Sequence, residues 1–151
     1  MKFNLNNILL KYHIINSLIY TDDKYSVSRE LKIKLIRYKI NLQKYFDEFN
    51  EVQSKYSEEI QTQEYKDLIA KENRTDKDNK KLQTLIDTMN SEYNSLLNQK
   101  LSEEFELDWY IPLTEEEFNQ LLEVNIEHTV TINGTQLDGT DFVSLIHDSL
   151  T

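Results

Sequence analysis

From Leu31 onward, apolar side chains recur at Leu35, Tyr38, Leu42, Tyr45, Phe49, Val52 and Tyr56, at intervals alternating between four and three. That alternation keeps one stripe on one side of an α-helix, and the stripe needs a partner to cover it. A helix over 27–56, entered through Ser26 as N-cap, would be a rod roughly 45 Å long. The same rhythm returns at Leu82, Ile86, Met89, Tyr93 and Leu96. A second helix over 78–102 is therefore expected to fold back on the first as an antiparallel, coiled-coil-like hairpin with an aromatic-rich seam. The polar stretch Asn73–Asn79 reads as a connection, and Ile60, Tyr65, Leu68 and Ile69 either extend the first rod or form a short helix near the tip. Ile33, Ile36 and Ile40 make a second stripe near the start of the rod. One neighbouring helix cannot cover both, so the first helix or the terminal module is expected to cover this one.

The flanks read differently. Lys2–Leu5 alternates polar and apolar as a short strand would. Asn6 or Asn7 is placed to cap a helix over 7–20 with Ile8, Tyr12, Ile15 and Ile19 on one face, ending at the turn Thr21-Asp22-Asp23. After residue 103, Phe105, Leu107, Trp109 and Ile111 alternate with polar neighbours and with Tyr110, predicting a half-buried strand that stops at Pro112. Thr114 followed by Glu115-Glu116-Glu117 is a capping-box start for a helix over 115–124 with Phe118, Leu121 and Leu122 inward. A strand over Ile126–Ile132 then meets Asn133-Gly134, a hairpin signal, and Thr140 could cap a last helix carrying Phe142, Leu145 and Ile146. The fold class expected is α+β, mainly α: a long helical hairpin with a small acidic sheet-and-helix module at its base. The 151 residues read as one domain in three parts: a strand and helix over 1–25, the hairpin over 26–102 and the acidic module over 103–151, whose sheet the N-terminal strand joins.

Chemistry-bearing patterns are few. With no cysteine there is neither a disulfide nor a thiolate ligand. His13, His128 and His147 make no metal-ligand spacing with one another, and His147-Asp148 with Asp141 supplies too few ligands to define a site. Asp76 and Asp78 open like a calcium loop, but Lys81 stands where that loop needs glycine and Asp87 where it needs a bidentate glutamate. Gly134 and Gly139 come too late to build a phosphate loop. The glutamate triplet is explained by its favourable interaction with a helix N-terminus. No catalytic residue, metal, cofactor or small-molecule substrate is therefore expected. No apolar run exceeds three residues, so neither a membrane span nor a signal-peptide core is expected.

Charge is distributed unevenly. Residues 1–56 carry ten Lys/Arg against six Asp/Glu, whereas residues 101–151 carry none against twelve. Lys24, Arg29, Lys32, Lys34, Arg37, Lys39 and Lys44 face only Glu30 in the early part of the long helix. With Tyr25, Tyr38 and Tyr45 interleaved, this could be a nucleic-acid face. The net charge of −10 and the tyrosines' place in the seam weigh against that. A protein-facing stripe is the better reading, because Lys32, Lys34 and Lys39 flank the seam. Its counterpart would be the acidic module, on the same molecule or on the next copy. Lys32, Lys34, Arg37, Lys39, Glu115 and Glu116 are the candidate contact residues. Tyr110 joins them as the exposed aromatic, with Trp109 and Phe142 assigned to the core.

The order of elements is similar to that of small late-gene or virion proteins of tailed phages: the Lys2–Leu5 strand, a capped helix, a charged hairpin, a strand ending in proline and a Thr-Glu-Glu-Glu-Phe helix start. Fourteen each of Asn, Ile and Lys against a single Ala also suit AT-rich coding of the kind found in crAss-like phages. The resemblance implies a non-enzymatic, oligomeric virion component, assembled in the host cytoplasm as a portal-proximal ring, tail or capsid accessory protein. Its partners would be other virion proteins and copies of itself. An acidic inhibitor of a host nucleic-acid enzyme or defence system is the alternative.

Overall fold

The computed structural model describes residues 1–19 and 27–151. Expectations for Thr21-Asp22-Asp23, Lys24, Tyr25 and Ser26 lie outside them. The elements run β1 (Lys2–Asn4), α1 (Leu5–Ser17), α2 (Arg29–Glu59), α3 (Gln63–Ala70), α4 (Asp76–Leu101), β2 (Glu104–Glu106), α5 (Glu115–Asn125), β3 (Val130–Ile132), β4 (Thr135–Leu137) and α6 (Gly139–Leu150). The chain is α+β and mainly α, with long helices at α2 and α4 as the apolar rhythm predicts. It divides into two compact units, one of Met1–Phe46 with Glu104–Thr151, the other of Asp47–Glu103.

The first unit holds most of the buried apolar side chains. β1 pairs antiparallel with β2, Phe3 opposite Phe105, and passes straight into α1. Asn4 serves both elements: its side chain accepts from Asn7 N–H, so Asn4 and not Asn6 or Asn7 is the cap. Leu31, Leu35, Tyr38, Leu42 and Tyr45 of α2 are buried here. Ser28 starts α2 by accepting from Leu31 N–H through its hydroxyl. α6 packs against both α1 and α5, burying Phe142, Ile146 and Leu150. Residues 105–111 do not form the strand their alternation predicts. β2 ends at Glu106, and the chain turns, Tyr110 N–H bonding to Leu107 carbonyl. The sheet is accordingly two separate two-stranded sheets, β1–β2 and β3–β4.

Local signals set the rest. Thr114 and Glu117 form the expected capping box at α5. Asn133 and Gly134 both take positive φ, 51° and 78°, the combination that a tight β-hairpin requires. Ile126 ends α5 instead of beginning a strand, because α6 starts against it. Asp138 caps α6 in place of Thr140, and a Cβ on Gly139 would lie 1.7 Å from Ile126 carbonyl oxygen. Asn125 is fully buried yet satisfied: its side chain accepts from Ile19 N–H at 2.9 Å and donates to the carbonyls of Ile19 and Leu121 at 3.1 and 2.8 Å. Lys11 is also buried. Its Nζ donates to Ser149 carbonyl and lies 4.6 Å from the centre of the Phe3 ring and 5.1 Å from that of Tyr110.

In the second unit, α3 packs on the start of α4 and is tied to it by Lys81 and Glu64. The short-helix alternative for this segment is the one adopted. Leu68 and Leu82 are its buried side chains, while Phe49, Val52, Tyr56, Ile86, Met89, Tyr93 and Leu96 are half-buried. The seam is thus uneven along α2, fully buried before residue 46 and only partly after it. Thr75 and Asp78 close a capping box at α4, which begins at Asp76, inside the stretch that reads as a connection. Lys71 and then the Thr75 N–H hold the Asp78 carboxyl down at about 2.

Candidate functional site

The distinctive surface lies on the first half of α2. At about 100° per residue, Ile33, Ile36 and Ile40 fall half a turn away from Leu31, Leu35, Tyr38 and Leu42. The core covers the latter set and leaves the isoleucines 41%, 49% and 66% exposed. This corrects the expectation that α1 or the terminal module would cover the second stripe: the terminal module comes near it only at Trp109 and Ile111, beside Ile33, and leaves it exposed. The same angular arithmetic puts Lys32 and Lys39 along one edge of the isoleucine face, and Arg37 and Lys44 along the other.

Beside this face is a groove of about 400 Å³. One wall is Ile33, Arg37 and Asn41, successive turns of α2, and the other is Trp109 with Ile111, which is 66% exposed. Tyr38 lines it between them, its hydroxyl donating to Ile111 carbonyl. Burial, then the Tyr110 and Glu117 charges, push the Tyr38 phenol well above its ordinary range. Lys34 closes one end. Its Nζ donates to Glu117 at 2.8 Å and to Pro112 carbonyl at 3.0 Å, fixing α2 to the start of α5. Partial burial pushes the Glu117 carboxyl up, but the Lys34 and Thr114 hydrogen bonds outweigh it and the net direction is down.

The candidate residues therefore separate. Lys34 is engaged within the molecule, and its contact with Glu117 is the ion pair that joins the basic helix to the acidic segment among the described residues. Arg37 and Lys39 are exposed. Glu115 and Glu116 stand exposed on the first turn of α5 and line a shallow surface with Asn119 and Glu123. Tyr110 is only 5% exposed, which corrects its assignment as the exposed aromatic. The turn at Leu107–Tyr110 sends its ring inward against Phe3, with its hydroxyl donating to Leu150 carbonyl at 3.2 Å. Trp109 is half-buried and walls the groove, and Phe142 is in the core. Ile111 is the residue that sequence reasoning missed. Its place just before Pro112, where a strand cannot continue, was the available signal.

Among the described residues, no group of three or more His, Asp or Glu side chains is placed to hold a metal, and no helix is long and apolar enough to cross a membrane. No family model, curated protein or solved structure matches this chain.

Proposed function

We propose that this chain is a non-enzymatic structural subunit of a tailed-phage particle, a portal-proximal ring, tail or capsid accessory component that works through protein–protein contacts. The observation that carries the reading is the exposed Ile33–Ile36–Ile40 face. A contiguous apolar patch rimmed by charge on a water-facing helix marks a contact surface, because apolar area left in water forgoes roughly 25 cal/mol per Å². The adjoining groove, with an aromatic wall and Arg37 at its edge, is suited to one protruding side chain of a partner. The phage setting draws on the order of elements and the AT-rich composition. Quantitative mass spectrometry of purified particles tests it: a fixed copy number per particle is expected, and absence from particles would refute it.

The acid-rich segment favours a second reading. Exposed Glu115, Glu116 and Glu123 along α5, in a stretch without any Lys or Arg, would suit an inhibitor that occupies a basic nucleic-acid channel. That protein would be missing from particles and would form a salt-sensitive complex with a host enzyme.

A further inference from the structure

The edges of the isoleucine face decide what can lie on it. Arg37 and Lys39 make no ion pair among the described residues. From Ile33 to Lys44, between Glu30 on the groove wall and Asp47, the charges along this face are all cations, and two such stretches joined about a two-fold axis would set Arg37 and Lys39 against their own kind, which is unfavourable. A covering surface that combines apolar area with carboxylates complements this stretch, and the same unit of this chain carries one elsewhere. Between α5 and α6 is a hollow of about 410 Å³ lined by Glu115, Phe118, Asn119, His147 and Thr151. Phe118 gives it an aromatic wall, its ring edge-on to His147 at 5.0 Å. Glu115 rims it, Glu116 follows on the same helical turn, and both carboxylates are exposed. The hollow and the α2 groove share no lining residue, so one molecule can use both at once.

We infer that the isoleucine face of one copy docks into the α5–α6 hollow of a second copy, head to tail, an inference that rests on the protein-contact reading above. Ile36 or Ile40 meets Phe118, and Arg37 and Lys39 meet Glu115 and Glu116. The contact is heterologous, so every added copy presents a free face, and the series closes into a ring when the rotation per subunit permits.

Complementation between two defective variants tests this. The first, Ile36→Asp with Arg37→Glu, disables the α2 face; the second, Glu115→Lys with Glu116→Lys, disables the hollow. All four positions are exposed or nearly so, and circular dichroism checks that both variants fold, with Arg37→Gln and Glu115→Gln as milder replacements. In sedimentation velocity the wild-type chain is expected to grow in mass with concentration, and each variant to stay monomeric. Their equimolar mixture should form a 1:1 dimer that grows no further, because only one working face of each kind remains. Wild-type protein that stays monomeric at its highest soluble concentration would overturn the inference. So would loss of association in the first variant but not the second, which would dock the α2 face onto a different surface of the second copy and leave the protein-contact reading standing. Failure of that reading shows separately, as absence of the chain from purified particles.

Discussion

Replacing Lys11 with methionine should change how stability depends on pH in a way no surface lysine could. The ammonium lies buried under the C-terminal end of α6, held by Ser149 carbonyl and the faces of Phe3 and Tyr110. Burial nevertheless pushes its pKa down from 10.5 to about 8. Between those values the unfolded chain keeps a proton that the folded chain has released, so stability rises with pH across the window. At about 1.4 kcal/mol per unit, the gain from pH 7 to pH 10 is roughly 2 to 3 kcal/mol. Above pH 10 the sign reverses. The Tyr110 phenol, pushed up to about 12 by burial, keeps its proton in the folded state when the unfolded chain loses it, and Tyr38 shifts the same way. Urea denaturation from pH 7 to 11 should show wild-type stability climbing to a maximum near pH 10 and then falling. Lys11→Met should be flat up to about pH 9 and share only the fall. Parallel curves for the two proteins would refute the reasoning, since they would mean that the carbonyl and the two rings hold the ammonium as well as water does.

Three further substitutions probe the packing that presents the α2 face. Gly139→Ala puts a methyl group into Ile126 carbonyl oxygen, so α5 and α6 must separate; thermal unfolding should show a loss of about 3 kcal/mol or more, and an unchanged midpoint would contradict the close approach. Asn125→Leu strips Ile19 of both its side-chain partners and should cost about 2 to 4 kcal/mol in urea denaturation, whereas a stable variant would show that water replaces the amide. Thr114→Ala removes the α5 cap and should lower stability by about 1 kcal/mol, or the midpoint by 2–4 °C; the α5 box contributes nothing if calorimetry finds no shift.

What could be read from the sequence is what neighbouring residues decide. Thr114 with Glu117, and Asn133 with Gly134, act within four residues, and each forms the cap or turn its chemistry dictates. The α2 rhythm is equally local. Which neighbour covers it is not: Trp109 and Tyr110 pack on Tyr38 and Phe105 on Tyr45, and so the seam is buried up to Tyr45 yet only half-buried beyond. Alternation at 105–111 misleads for the same reason. Leu150 carbonyl, forty residues away, takes the Tyr110 hydroxyl and Leu113 N–H, and that pull outweighs the period-two pattern. The isoleucine stripe was legible as a stripe. Its exposure was not, because apolar spacing records that a face wants cover and says nothing of whether the cover belongs to the same molecule.

Isoleucine methyl NMR with a soluble paramagnetic relaxation agent therefore tests the central claim most directly. In dilute protein the methyls of Ile33, Ile36 and Ile40 should be strongly broadened by the agent, while those of Ile8, Ile14 and Ile146, which are fully buried, should be untouched. In the assembled state the first three should become shielded as well. Shielding of Ile36 already in the dilute monomer, or continued broadening after assembly, would contradict the assignment of this face as a contact surface.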